Sequence, residues 1–301
     1  MSELHEIAGY EIVATLGHGA RSTIYHVRDR RREQYALKRV VKATASDQRY
    51  LDQAIREHQI ARRFDHPSIR KSHRLLRQRN FIRTSEVLVL MELVLGKTLE
   101  QHQPKRLADL VLTCRHAAEG LAVMHEQGYV HADIKPNNIM INQDGAVKII
   151  DFGQSCPSGT IKNRIQGTPD YIAPEQVQRK RIIPQTDIFN LGATMYWLLT
   201  RQHVPTMMPK GQAGMALKTE TRCAPPIEHN PEVPPALSSL VMDCIERHPS
   251  ERPDTMVHVI DRIDIALAQL QRRDVSGGGS GGRSGGSGGV AETQVPRRNA
   301  S

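Results

Sequence analysis

The feature that most constrains the fold is a change of hydrophobic period along the chain. Residues 10–41 alternate apolar and polar positions in Tyr10-Glu11-Ile12-Val13, Thr23-Ile24-Tyr25-His26-Val27 and Tyr35-Ala36-Leu37-Lys38-Arg39-Val40. Turn-forming stretches at Gly17-His18-Gly19 and at 29–32 separate them, so the spacing predicts a three-stranded antiparallel meander. Residues 48–64 move to helical spacing, with Leu51, Ile55, Ile60, Ala61 and Phe64 near one face. The nearly all-aliphatic run 86–91 predicts a strand buried on both faces. After Gly96 helices dominate. Leu107, Leu110, Val111, Cys114, Ala117, Ala118, Leu121 and Met124 mark one long amphipathic helix, and further helices are predicted over 186–199, 235–245 and 253–270. Short strands over 139–141 and 147–150 flank a Gln143-Asp144-Gly145 turn. A small sheet-rich lobe followed by a larger helical lobe is the expected architecture.

Composition narrows the class. The chain has 301 residues, 39% apolar and 24% charged, which excludes wholesale disorder. Aromatics are only 4%, so the core must be mostly aliphatic. The net charge of +9 attracts anions, but charge alone does not choose among nucleotides, acidic proteins, nucleic acid and anionic lipid. Four cysteines without a C-x-x-C pair imply neither a zinc framework nor a disulfide scaffold and fit a reducing compartment. The N-terminus lacks the basic-then-apolar order of a secretion signal, and no run nears the roughly 20 apolar residues of a membrane span. A cytoplasmic location is expected. From Ser276 to Gly289 the chain is nine Gly, four Ser and one Arg, which predicts a flexible coil.

Four separated stretches carry chemistry. Gly17-His18-Gly19-Ala20-Arg21-Ser22 sits between two strands, where residues without side chains let backbone N–H groups approach a polyphosphate; a plain turn is the alternative. Period 2 puts Ala36 and Lys38 on one face. If that face is covered, Lys38 needs an anion, which Glu57 on the next helix can supply; a lysine facing water is the alternative. His131-Ala132-Asp133-Ile134-Lys135-Pro136-Asn137-Asn138 gathers an acid to accept a hydroxyl proton, a cation to neutralise a phosphoryl group, and an amide to ligate a hard cation. Asp151-Phe152-Gly153 follows a strand and suits a metal ligand on a movable segment. Ala173-Pro174-Glu175 comes some twenty residues later.

In this order, with Asp187 and with Arg252 in Pro249-Ser250-Glu251-Arg252-Pro253, the set resembles the eukaryotic-type serine/threonine protein kinase family, in its bacterial form. The resemblance covers roughly residues 10–270. It implies an α+β, bilobal protein-kinase-like fold: a small antiparallel-sheet N-lobe with one helix, about 10–94, and a larger helical C-lobe, about 95–272. A Gly/Ser-rich flexible tail, 273–301, would follow. It further implies ATP and Mg²⁺. Leu16, Gly17, Gly19, Ser22 and Ile24 belong to the phosphate-covering loop, and Lys38, held by Glu57, contacts the phosphates. Asn138 and Asp151 ligate the metal, Asp133 takes the acceptor proton, and Lys135 steadies the γ-phosphoryl. Ile24, Ala36 and Met140 sandwich adenine; Met91 is the gatekeeper, and the Glu92 carbonyl and Val94 amide bond the adenine edge. Plain core packing is the alternative at these apolar positions. Phe152, Gly153, Thr168 and Glu175 belong to the activation segment, Arg252 pairs with Glu175, and Lys135 with Thr168 resembles the serine/threonine branch. The implied partners are proteins with Ser or Thr acceptors, in signalling; no nucleic acid is expected.

Three departures from the family pattern matter. Ala132 replaces the Arg that commonly holds an activation-loop phosphate, so activity without obligatory phosphorylation of Ser158 or Thr160 is expected. Asn137 and Thr98 stand where acids often read basic substrates, which points to neutral or acidic ones. Prolines make 201–235 irregular. Cys156 reads as an inert loop thiol rather than a redox switch. Two other readings are a small-molecule phosphotransferase of kinase-like fold, which generally lacks the Ala-Pro-Glu segment and Arg252, and a non-catalytic scaffold.

Overall fold

A computed structural model gives the structure and describes residues 5–19, 21–80, 83–205 and 223–277. The N-terminal lobe is one antiparallel sheet of β1 (Glu6–Ile7), β2 (Tyr10–His18), β3 (Ser22–Arg28), β4 (Gln34–Val41), β5 (Ser72–Asn80) and β6 (Arg83–Glu92), ordered β1-β2-β3-β4-β6-β5. Helix α1 (Gln48–Ala61) covers one face. Alternation along the strands sorts the apolar side chains into two layers. Ala36, Val40, Val87, Val89 and Met91 pack with Leu51 and Ala54 of α1, while Leu37, Leu88 and Leu90 join Ile7 and Val27 on the other face. Lys38 therefore points toward α1, as its period with Ala36 demands.

The C-terminal lobe runs through β7 (Gly96–Thr98), α2 (Leu107–Glu126), β8 (Tyr129–Val130), β9 (Ile139–Asn142), β10 (Val147–Ile149), β11 (Cys156–Pro157), β12 (Thr160–Ile161), α3 (Pro174–Val177), β13 (Arg181–Ile182), α4 (Pro184–Thr200), α5 (Pro226–His229), α6 (Pro235–Cys244) and α7 (Met256–Gly277). One aliphatic core joins α2, α4, α6 and α7, with α4 buried along nearly its whole length. No helix among the described residues is long and apolar enough to cross a membrane.

Several boundaries differ from the periodicity. Strand β5 and the two-residue β1 lie outside the predicted meander. The sequence of β5, Ser-His-Arg-Leu-Leu-Arg-Gln-Arg-Asn, does not alternate, because this edge strand turns most of its side chains to solvent. Helix α1 ends at Ala61, short of Phe64, which is buried beyond the helix end. Helix α7 begins at Met256 instead of 253, where the Thr255 hydroxyl accepts the His258 N–H at 3.2 Å as a cap. It runs past Leu270 to Gly277, so the expected tail does not start at 273; its Gly/Ser run beyond Gly277 lies outside the described residues. Within 201–235 the described part holds the short α5, and 206–222 lie outside the described residues.

Candidate active site

Lys38 donates from Nζ to Glu57 Oε2 at 2.5 Å, with side chains 18% and 6% exposed. A lysine this deep in an aliphatic layer is stable only against a carboxylate. A second cation shares that carboxylate: Arg70 Nη2 lies 3.7 Å from Glu57 Oε1. Arg70 was not marked by any motif, and its only sequence signal is a charge directly after the buried Ile69. Burial depresses the Arg70 guanidinium pKa, although Glu57, Asp151 and Glu92 oppose the shift. Its N–H donates to the Ile149 carbonyl at 3.0 Å, and Ile69 bridges to Ile149. The stretch carrying Arg70 is thereby zipped to β10, the strand that delivers Asp151.

The loop from His131 to Asn138 is hung on α4. Asp187, wholly buried, accepts the N–H of His131 at 2.8 Å and of Ala132 at 2.7 Å, and lies 2.8 Å from His125 Nε2. Burial pushes the Asp187 carboxyl up, but these hydrogen bonds and the two histidines outweigh it and hold the carboxyl below its ordinary value. Ala132 has φ 61°, a left-handed conformation that the paired Asp187 bonds sustain. The Asp133 carboxylate then meets three donors. Thr168 Oγ1 donates to Oδ1 at 3.0 Å, Lys135 Nζ to Oδ2 at 3.0 Å, and Asn138 Nδ2 to Oδ2 at 3.3 Å. Lys135 also donates to Thr168 at 2.6 Å, and Asn138 to the Asp133 carbonyl at 2.8 Å. With its amide nitrogen so engaged, Asn138 has its amide oxygen left as the atom that could ligate a cation.

Asp151 follows β10 with φ 64°, and the Gly153 N–H donates to its Oδ1 at 3.2 Å. Phe152 is the apolar plug, 1% exposed, edge-on to the His131 ring at 5.4 Å. Although Asp151 itself opens onto solvent, the surrounding protein raises its carboxyl pKa. Lys38 leads the opposing groups, with the Gly153 N–H, His131 and Arg70, and the balance lies below the ordinary value. Two hard oxygen donors, the Asp151 carboxylate and the Asn138 amide, fit Mg²⁺, which binds through one or two carboxylates plus substrate phosphates. No cluster of three His, Cys, Asp or Glu among the described residues forms an all-protein metal cage.

Of the adenine candidates, Ala36, Met91 and Ile24 share one apolar cluster. Ala36 and Met91 are register partners, both buried. Ile24 on β3 and Met140 on β9 are half-buried, Val94 follows β6, and Leu16 is 49% exposed. Leu95, unmarked by the motifs, is 55% exposed beside Val94. The Glu92 carboxylate is committed to Lys148 at 2.6 Å and to the Lys71 N–H at 3.0 Å. In the glycine loop, Gly17 pairs with Ile24 and the Gly19 N–H donates to the Ser22 carbonyl at 2.7 Å. A Cβ on Gly19 would fall 2.6 Å from Ser22 Oγ, so a larger residue there would require the Ser22 side chain to turn aside. Ala20 lies outside the described residues. Thr98 and Asn137 touch, at 3.4 Å.

A protein kinase domain model matches residues 10–262. The chain belongs to the protein kinase family. It is similar to the serine/threonine-protein kinase PknB of Mycolicibacterium smegmatis, at 27% identity over 82% of this chain and 41% of that protein. Serine/threonine-protein kinase A of Synechocystis is 26% identical over 89% of this chain and 55% of its own length. PknA of Corynebacterium glutamicum is 30% identical over 65% of this chain and 44% of its own length. The chain spans about two fifths of the length of the first curated relatives it matches.

Within this kinase fold the Ala-Pro-Glu segment is anchored at depth. Arg252 donates to Glu175 through both Nη1, at 2.8 Å, and Nη2, at 3.0 Å, with side chains 0% and 4% exposed. Ala132, where the family commonly has Arg, packs with Val130, Cys156 and Ile182 in a small apolar cluster. Strand pairs β11–β8 and β12–β13 run beside it. Cys156 is 8% exposed, and burial pushes its thiol pKa up, which leaves it unreactive.

Proposed function

We propose that this chain transfers the γ-phosphoryl group of ATP to Ser and Thr hydroxyls of protein substrates. The observation that carries this reading is the pairing of Lys38 with Glu57 together with the network in which Lys135, Asn138 and Thr168 all donate to the Asp133 carboxylate. Phosphoryl transfer asks a protein chiefly for positioning and charge stabilisation, and each residue here has one such task. Lys38, oriented by Glu57, neutralises the α- and β-phosphates. Asp151 and Asn138 would hold Mg²⁺, which would supply neutralising charge for the triphosphate. Asp133 accepts the acceptor hydroxyl's proton, and Lys135 stabilises the transferring group. Ile24, Ala36, Met91 and Met140 form the apolar walls for adenine, bonded at its edge by the Glu92 carbonyl and Val94 N–H. Thr168, bonded to both Asp133 and Lys135, ties the substrate-facing segment to the catalytic loop.

Two further readings follow from particular contacts. The apolar cluster around Ala132 and the β11–β8 and β12–β13 pairs fasten the activation segment without a phosphate, so Ser158→Ala with Thr160→Ala retains activity. The buried Glu175–Arg252 pair favours a protein acceptor over a small molecule, because it holds the segment that docks polypeptide. Four free thiols fit a reducing, cytoplasmic setting.

Transfer of labelled γ-phosphate to a generic protein substrate tests the proposal. Phosphoserine or phosphothreonine is expected, and Lys38→Met should abolish it. Nucleotide-induced thermal stabilisation without transfer would instead make the chain a scaffold, and mainly phosphotyrosine would refute the acceptor class.

A further inference from the structure

A cavity of about 420 Å³ lies outside the phosphoryl-transfer site, between α1 and the stretch that follows Gly153. Its lining includes four cationic side chains, Arg49 and Arg56 from α1 and Lys162 and Arg164 from the segment, and no carboxylate. Among the described residues none of the four forms an ion pair with an acid. The Arg49 guanidinium lies over the Tyr50 ring at 4.8 Å, and Lys162 Nζ donates to the Gln154 carbonyl at 2.6 Å. Several like charges gathered round one concavity raise its potential and concentrate anions there. Guanidinium groups further present forked donors suited to phosphate oxygens.

We propose that this cavity binds a small, multiply charged phosphate-type anion that diffuses in from solution and fastens α1 to the activation segment. The site rests on the kinase reading only for its consequence. Arg56 immediately precedes Glu57, and the opposite wall begins at Gly153, two residues past Asp151. Gln53 of α1 already abuts that glycine: a Cβ there would lie 2.7 Å from Gln53 Nε2. An anion bridging the two walls therefore fixes the carboxylate that holds Lys38 relative to the carboxylate that binds metal. The side chain that the family commonly uses to grip a loop phosphate is Ala132 here, so the four cations are not already committed to a phosphate gripped from that position.

The test is calorimetric titration of the whole Asp133→Asn chain, verified by mass spectrometry to carry no phosphate. The nucleotide cleft is first saturated with a non-hydrolysable ATP analogue and excess magnesium, and inorganic tripolyphosphate is the probe. One equivalent should bind. Arg49→Gln, Arg56→Gln and Arg164→Gln together should weaken that binding by at least about tenfold, each removing a charge-assisted contact, while affinity for the ATP analogue stays unchanged. If the triple variant melts early, the three single variants should each weaken tripolyphosphate binding. Equal tripolyphosphate affinity in parent and variants overturns the site, as does weak binding of several equivalents in both. Binding seen only in wild-type chain that has first been incubated with ATP and has become phosphorylated would overturn the diffusible ligand. Failure of the ATP analogue to bind would count against the proposed function and leave the cavity to be judged on tripolyphosphate alone.

Discussion

The Thr168 hydroxyl donates to Asp133 Oδ1 at 3.0 Å while accepting from Lys135 at 2.6 Å, so Thr168 and the Asp133 loop share one network. Removing the hydroxyl leaves Asp133 with one fewer donor and Lys135 with one fewer acceptor. A hydrogen bond to a charged group is worth about 1.5–3 kcal/mol. Thr168→Ala should therefore lower kcat at least about tenfold with little change in KM for ATP, and Thr168→Ser should restore most of it. Steady-state kinetics of the three proteins decides this.

Asp133 itself carries a larger share. As a positioned base it contributes about 10²–10⁴-fold, and Asp133→Asn should lose that much activity while melting at the parent temperature. Near-parental transfer by the variant would remove Asp133 from the mechanism.

Arg70 and Lys38 engage different oxygens of Glu57, so their effects should not add. Arg70→Leu and Lys38→Met, singly and together, form a cycle in which the shared carboxylate gives a coupling of about 0.5–3 kcal/mol. Urea unfolding measures it; additivity would mean that Arg70 does not support Glu57.

Breaking one partner of a buried ion pair costs about 3–5 kcal/mol because it strands the other charge. Glu175–Arg252 is such a pair, and Thr186 Oγ1 also donates to Glu175, at 2.9 Å. Arg252→Ala should destabilise the chain by that order in urea unfolding. Arg252→Lys should rescue little, since an ammonium cannot reproduce the two-pronged contact.

The pH dependence follows from Asp187. Its folded pKa lies below the unfolded value, so its stabilisation is fully present above about pH 4, the unfolded carboxyl range, and is lost as pH falls through the folded value. Asp187→Asn should thus be most destabilising at neutral pH, with the gap to the parent closing below about pH 4. Unfolding free energies measured at several pH values would reveal a constant gap if this linkage is wrong.

The sheet meander, the buried strand β6 and the long helix α2 were legible because burial on one or both faces stamps a period on the sequence. Strand β5 was not, since its exposed arginines carry no such pattern. Helix α7 outran its expected end because Gln271, Arg272 and Arg273 beyond Leu270 are exposed and carry no apolar period. The motif residues were readable through their order, whereas Arg70 was invisible: it lies in no motif, and only the fold reveals that it approaches Glu57. The α1–segment cavity was equally hidden, because its cations are scattered over more than a hundred positions and meet only in three dimensions.

A crystal structure of the chain with Mg²⁺ and a non-hydrolysable ATP analogue addresses the central claim most directly. The account predicts one nucleotide between the lobes, with the Lys38 ammonium on its α- and β-phosphates and the metal held by Asn138 and Asp151. Phosphates bound away from Lys38, or a metal that neither Asn138 nor Asp151 touches, would contradict it.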